Sequence, residues 1–341
     1  MALKVGVIGC GQIALQAHIP AFRELGVQIV GVADESKRAL TRVKGVKHKY
    51  TNHLDLLRHD LDFVSICTPP YTHYKICLNA IERGINVLIE KPLALSVEEA
   101  TDLKTKAEKN DIKLCVVHNY KFIDIIEKAK KLQDQGSVGK LLAMHTIVHG
   151  TSPPAWKTWR FDESKAGWML LQFCHPLYLQ LWFCGRPKSV YAIAKKPLGE
   201  YPLIRDVEAL VNFESSIGFL EMSEFCASSN FRIDLIGTGS TIVLELPVKT
   251  RILASSILVR AVEEALYSFG DLFKLLHRYM VLSRNFSRGF LGGSHLKLIS
   301  KFVKSLKCDE EVPVPIDEAV QCIKLAKAIE KSIMERREVT V

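Results

Sequence analysis

The stretch Val87-Leu88-Ile89-Glu90-Lys91-Pro92 sets a carboxylate and an amine at the end of an apolar run. Pro92 has no N–H to give to a sheet ladder, so the strand is expected to stop there and hold Lys91 at its carboxyl end. In open parallel sheets, ligands bind along that edge. A lysine so placed can donate a proton, clamp a substrate oxygen or simply stand solvated at a strand end. A second chemical stretch is Gly9-Cys10-Gly11-Gln12-Ile13-Ala14, a GxGxxA turn after the short apolar run Lys4–Ile8. Glycines in such a turn let the backbone approach a pyrophosphate, which then sits at the amino end of the following helix. Asp34 ends the next strand pattern about twenty residues past Ala14, the spacing of a carboxylate that binds the adenosine ribose hydroxyls. A third group, Gln172, His175 and Gln180, lies within Ala166–Gly185, a run with no Asp, Glu, Lys or Arg.

The elements that must position these groups read as repeated βαβ units up to Phe122. Strand patterns at 28–33, 47–50, 62–67, 87–91 and 113–117 alternate with helical patterns at 36–43, 54–59, 73–83 and 97–109, the last opened by the capping box Ser96-Val97-Glu98-Glu99. This predicts an α/β chain with an N-terminal Rossmann-type, doubly wound parallel sheet. Thr68-Pro69-Pro70-Tyr71-Thr72-His73 follows one of its strands, where a loop would lie over the nicotinamide half of a dinucleotide. His118-Asn119 ends another. Beyond Phe122 the pattern changes to a helix at 124–135, a strand at 139–150, and strands at 189–194, 207–214, 218–225, 232–237 and 241–246 joined by tight turns. That succession predicts an open, mainly antiparallel sheet in a C-terminal α+β domain. The expected boundaries are 1–120 for the NAD(P)-binding domain and 121–341 for the second domain, which the family resemblance given below makes the substrate-binding and oligomerisation domain. A helical insertion spans about 248–292, with amphipathic helix expected over 252–284, and a last helix over 317–334.

Bulk composition fits a globular protein: 341 residues, 48% hydrophobic and 24% charged. The net charge of +9 is concentrated between Lys249 and Lys307. That stretch has no stacking-aromatic pattern or nucleic-acid motif, so an anionic substrate or a solvated face is expected there, and no nucleic acid. The uncharged run 166–184 is nearly long enough to span a bilayer, but its Gln, His and Pro make it a buried helix, and no integral membrane segment is expected. Nine cysteines form no CxxC pair, and Met1-Ala2-Leu3-Lys4 leads straight into a strand pattern. Buried thiols, no signal peptide and a cytoplasmic location are the expectation. His145 and His149 share a strand face without a metal-spaced partner, so no metal is expected.

With these residues assembled, the chain resembles the family of glucose–fructose oxidoreductase, inositol dehydrogenase and rhizopine-catabolism proteins (Gfo/Idh/MocA) over nearly its whole length. The resemblance rests on Gly9–Ala14, Thr68–His73, Glu90-Lys91-Pro92, His118-Asn119 with Phe122, Trp159-Arg160-Phe161, the Gly167–His175 block and Gly237-Thr238-Gly239-Ser240. It implies an NAD(P)-dependent oxidoreductase acting on CH–OH groups of a sugar, sugar nucleotide or cyclitol, commonly a homodimer or homotetramer assembled through the open sheet. Cofactor contacts are expected from Gly9, Gly11, Gln12, Ile13, Asp34, Thr68, Pro69, His73, Glu90, Lys91 and Asn119. Asp34 favours NAD by repelling a 2′-phosphate, although Ser36, Lys37 and Arg38 follow it and suit NADP. In this family a lysine, an aspartate and a histidine share the proton chemistry, and the first and last map onto Lys91 and His175. The aspartate's position, four residues before the histidine, is Leu171 here. The family's glycine two before it is Phe173, and its acidic residue three after it is Tyr178. Gln172 lies beneath His175 on a helix and is within reach of the same pocket, but an amide takes no proton. His175 is therefore the expected base, with Tyr178 a phenolic alternative and Arg160 a clamp for an anionic substrate group. The replacements leave a second reading open: a cofactor-binding regulator of the same fold with weak or no catalysis.

Overall fold

The computed structural model describes residues 2–150, 162–167, 174–195, 206–223, 226, 229–246, 249–254 and 286–341. Short apolar runs form β1 (Lys4–Ile8), β2 (Gln28–Ala33), β3 (His48–Tyr50), β4 (Phe63–Ile66), β5 (Asn86–Ile89) and β6 (Leu114–Val116), all parallel, in the order β3-β2-β1-β4-β5-β6. Every residue of β4 is buried, as a strand covered by helices on both faces requires. The strand order reverses between β1 and β4, which opens the crevice where doubly wound sheets bind ligands. Gly9, Cys67-Thr68, Glu90-Lys91 and His118-Asn119 all leave the sheet at this carboxyl edge.

The second sheet contains β7 (Leu141–His149), β8 (Pro187–Lys195), β9 (Asp206–Phe213), β10 (Ile217–Ser223), β11 (Asn230–Gly237), β12 (Ser240–Leu246), β13 (Lys249–Ala254) and β14 (Val339–Thr340). Its order is β13-β12-β11-β7-β10-β9-β8-β14, and only the central β7–β10 pair is parallel. Burial alternates along β9, with Val207, Ala209, Val211 and Phe213 turned inward. The inner face is covered by the helices Cys174–Cys184 and Ile316–Glu335. The other face is open and carries Tyr191, Ile193, Leu210 and Ile217 at 44–55% exposure. Ile316–Glu335 also packs on the helix Val97–Lys109, where Lys104 pairs with Asp317, and so ties the two sheets together. Among the described residues, no helix is long and apolar enough to cross a membrane.

Three features depart from the sequence expectation. The first helix opens as a π-turn, Ala14–His18, before Ile19–Glu24, and it turns His18 into the core. Residues 252–254, expected to be helical, belong to β13, because β12 offers them a ladder with Ile252 opposite Ile242; the rest of that expected helix, 255–284, lies outside the described residues. The expected helical insertion stops near 292, whereas the helix Phe286–Cys308 runs on through Gly292 and Gly293, residues of low helix propensity, to Cys308. Tertiary burial decides it: Leu298, Ile299, Phe302 and Val303, at helical spacing, pack into the core of the first sheet with Val5, Phe22 and Phe63. Part of the basic excess is also neutralised on this helix. Lys297 pairs with Asp124 and with Glu127 (2.9 Å), and Lys304 with Glu310 (2.7 Å).

Candidate active site

Gly9 leaves β1 with φ +92°, in the left-handed region that favours glycine. A Cβ there would lie 2.7 Å from the Cys67 carbonyl group, so the turn presses against the end of β4. Gly11 is the opposite case: a Cβ would meet nothing within 4 Å, and its backbone stays open to approach. Cys10 N donates to Asp34 Oδ2 (2.7 Å) and Ser36 N to Asp34 Oδ1 (2.8 Å). Asp34 thus pins the turn while each oxygen keeps a lone pair for a ribose diol. Gln12 is exposed and hydrogen-bonds Gln16 (3.2 Å), and Ile13 packs partly into the core below the turn. An unobstructed glycine backbone at a helix start, with an acid at the end of β2, fits a dinucleotide.

The loop after β4 is tied down from within. Thr72 Oγ1 lies 2.8 Å from both Thr68 Oγ1 and Pro69 O. His73, expected over the nicotinamide, turns inward instead. It is fully buried, with ring nitrogens 2.8 Å from Thr68 O and 2.7 Å from Pro92 O. The ring therefore braces the loop after β4 to the loop after β5, and burial pulls its pKa down. Neither nitrogen remains to meet a cofactor, because the helix His73–Ile81 starts with this side chain on its core face.

Just past the end of β5, Glu90 is buried while its neighbour Lys91 stays partly exposed. Glu90, 8% exposed, accepts from His18 Nε2 (2.9 Å) and lies 3.4 Å from His295 Nε2. Its second oxygen accepts from Lys91 N (3.3 Å). Burial alone would raise the Glu90 carboxyl, but the bonds from His18 and His295 hold it well below the usual carboxylate range. His18 is fully buried, which lowers its pKa, and its Nδ1 meets Ser65 Oγ (2.8 Å). Among the described residues, one atom each of His18, Glu90 and His295 forms a group within 4.8 Å that has metal-ligand chemistry. Both imidazole nitrogens facing Glu90 are engaged by the carboxylate itself. Asn119, expected among the cofactor contacts, is 2% exposed and donates to Ser294 Oγ (3.2 Å), covered by the helix Phe286–Cys308.

Lys91, partly exposed, precedes a cis Lys91–Pro92 bond. His175, the one partly exposed residue in 174–180, lies near enough to feel its charge. Burial and then the Lys91 charge hold the His175 imidazole well below its ordinary pKa, against the pull of Glu90. Its ring stacks on Tyr120 at 3.9 Å, and its Nδ1 lies 2.7 Å from Tyr178 Oη. Tyr178, 1% exposed, also accepts from Tyr120 N (3.0 Å) and stacks on His118 at 4.1 Å. Burial pushes the Tyr178 phenol well above its ordinary pKa, which removes it as a proton source of its own. Beside His175, Cys174 Sγ lies 3.9 Å from Cys322 Sγ and anchors this helix on Ile316–Glu335.

Arg160, Gln172, Leu171 and Phe173 lie outside the described residues. Sequence reasoning missed His18, His295 and Tyr120. A signal for His18 was available: it is the one polar side chain on the buried face Ala14, Ala17, His18, Ala21, Phe22. His295 and Tyr120 gave none, because their partners come from distant elements.

Residues 3–118 match the model of an oxidoreductase family with an NAD-binding Rossmann fold, GFO/IDH/MocA, and residues 126–243 match that family's C-terminal domain. Among curated proteins, a 2,7-anhydro-N-acetylneuraminate hydratase of Mediterraneibacter gnavus is 27% identical over 193 residues, covering 54% of this chain and 50% of the relative. A glucose-6-phosphate 3-dehydrogenase of Bacillus subtilis is 30% identical over 166 residues, 48% of this chain and 47% of the relative. The chain thus matches about half the length of these relatives. Among solved structures, the WlbA dehydrogenase of Bordetella pertussis in complex with NADH and UDP-GlcNAcA superposes with a TM-score of 0.84 at 19% identity, covering 100% of this chain and 98% of that one. That likeness is one of fold.

Proposed function

The chain belongs to the Gfo/Idh/MocA oxidoreductase family, and from that premise we propose that it is an NAD(P)-dependent dehydrogenase of a sugar, sugar nucleotide or cyclitol. The observation that carries the reading is one edge of one sheet. The Gly9–Ala14 turn with Asp34, Lys91 after β5, and His175 within reach of the Lys91 charge all meet there. The relatives named above act on, or were crystallised with, sugars of these classes, which is what recommends the substrate class.

When bound, the nicotinamide supplies a two-electron hydride acceptor or donor at its C4. This chain's own groups do the rest. Asp34 and the open backbone of Gly11 hold the adenosine end and the pyrophosphate. Lys91 stabilises negative charge on the substrate oxygen and exchanges its proton. His175, kept neutral by burial and by Lys91, hydrogen-bonds the same oxygen. The open face of the second sheet, with Tyr191, Ile193, Leu210 and Ile217, is the proposed homodimer or homotetramer surface. Light scattering should then report an oligomer that Leu210→Arg dissociates; a monomeric wild type would refute that part.

The test of the activity is absorbance of the reduced nicotinamide while purified protein meets sugars, cyclitols and nucleotide sugars with NAD or NADP. Turnover with at least one is expected. Tight cofactor binding with no turnover on any would replace this reading with the regulator one.

A further inference from the structure

The phenol of Tyr178 sits between two partners whose roles differ. Tyr120 N is a backbone N–H and can only donate, so at 3.0 Å it makes Tyr178 Oη an acceptor. The hydroxyl has one proton of its own to place, in a side chain that is 1% exposed. The other group within hydrogen-bond distance is His175 Nδ1, at 2.7 Å. If Nδ1 carried a hydrogen, it would donate to the same oxygen, and the phenol proton would be buried without an acceptor. That arrangement is costly in a dry interior. The reverse satisfies every atom: the phenol donates to a bare Nδ1, and the imidazole keeps its proton on Nε2. The stacking of His175 on Tyr120 sets the ring plane, and the bond between Nδ1 and Tyr178 Oη, which a ring flip would break, sets which edge faces Tyr178.

We propose that Tyr178 is a positioning residue that locks His175 in the Nε2–H tautomer, so that His175 serves the substrate oxygen as a hydrogen-bond donor and Lys91 alone transfers the proton. This rests on the dehydrogenase reading for its substrate and its proton transfer, but not for the tautomer. A carboxylate at position 178 could only accept, would draw the hydrogen to Nδ1, and would leave Nε2 bare as a base. Tyrosine imposes the opposite polarity. In carbonyl reduction the bound nicotinamide would supply the hydride to the carbonyl carbon, and the C=O π pair left on oxygen would be met by Lys91 and His175. The Lys91 ammonium gives that oxygen its proton and becomes a neutral amine, which solvent reprotonates. His175 Nε2–H stabilises the developing alkoxide and keeps its hydrogen throughout. Alcohol oxidation runs the same steps backward, with the neutral Lys91 amine taking the hydroxyl proton. The charged and titratable groups facing His175 are Lys91, Glu90, His118, His295, Tyr120 and Tyr178. Among them, burial and Lys91 prevail and oppose an imidazolium.

The test reads the tautomer directly. Protein carrying 15N-histidine is examined by long-range 1H–15N correlation, with the His175 signals assigned by their loss in His175→Gln. A protonated Nε2 and a bare Nδ1 are expected, unchanged through the neutral pH range and without substrate present. A protonated Nδ1, or an even mixture, overturns the proposal. In Tyr178→Phe the tautomer bias should disappear, and kcat for carbonyl reduction should fall about tenfold with KM nearly unchanged, less than outright loss of an oxyanion donor costs. The variant should also gain a histidine-dependent limb in its pH–rate profile that the wild type lacks. A Tyr178→Phe protein with the wild-type tautomer would also refute it. Absence of turnover with every substrate would sink the dehydrogenase reading, while the spectrum would still decide the tautomer.

Discussion

Two histidine clusters flank the end of β5, and the same side-chain type does different work in each. On the inner side, His18 and His295 point Nε2 at Glu90, a carboxylate that can only accept, so both rings are donors to it. On the outer side, His175 turns Nδ1 to a phenol that must donate, so the ring is an acceptor toward its neighbour and a donor toward the cleft. The inner cluster is closed on itself and buried, and its product is a fixed strand end. The outer cluster ends on a partly exposed ring beside Lys91, and its product is a reactive edge. The partner of a histidine, more than the histidine, decides its role.

That contrast can be broken most decisively at Lys91. Lys91→Ala should lower kcat by about 10²- to 10⁴-fold, the usual weight of a proton-transfer group, and leave cofactor affinity almost unchanged. Near-normal kcat in that variant would end the assignment. Glu90→Gln should do the reverse, because it removes the charge that both inner histidines serve. A loss of about 2 kcal/mol in unfolding free energy is expected, with a much smaller effect on kcat than at Lys91. Urea denaturation and steady-state rates on one preparation separate the two. If Glu90→Gln abolishes turnover without loss of stability, Glu90 belongs to the outer site and the comparison fails.

A smaller effect concerns acid. Burial lowers the folded pKa of His18 and His73 below the ordinary 6.5, so below that pH the unfolded chain binds protons that the folded chain refuses. Stability is then present above about pH 6.5 and declines as pH falls, by up to about 1.4 kcal/mol per pH unit for each ring. The depressed Glu90 works in the same direction at lower pH: its contribution is present above the unfolded value near 4.5 and is lost as pH falls toward the folded one. Urea midpoints measured from about pH 7 down to pH 5 should therefore slope downward. A flat profile would mean that the inner histidines are already charged in the fold.

Much of the cofactor side was legible without coordinates. The glycines at 9 and 11, the acid at 34 and the proline stop at 92 act through backbone freedom, spacing and a missing N–H, which are local properties of a chain. The parallel pairing of the first sheet followed from alternating strand and helix patterns, and the mainly antiparallel second sheet from closely spaced strands. The run of the helix Phe286–Cys308 past 292 was not legible, because Gly292 and Gly293 oppose it and burial of Leu298, Ile299, Phe302 and Val303 against the first sheet outweighs them. His73 and Asn119 do stand at the strand ends that the pattern assigns them, but whether a side chain at a strand end turns to the cleft or to the core depends on what packs over it.

By itself, then, the order of residues determined a dinucleotide turn, an acid at the end of β2 and a lysine at the carboxyl end of β5. Tertiary structure alone brought His295 from a late helix to Glu90, and folded Tyr120 over His175 so that Tyr178 is held by one N–H and must give its proton to the ring. Hydrogen-bond polarity is a property of the assembled neighbours. Spacing along a chain can bring an imidazole to a site, but it takes the packed partners to decide which nitrogen carries the hydrogen.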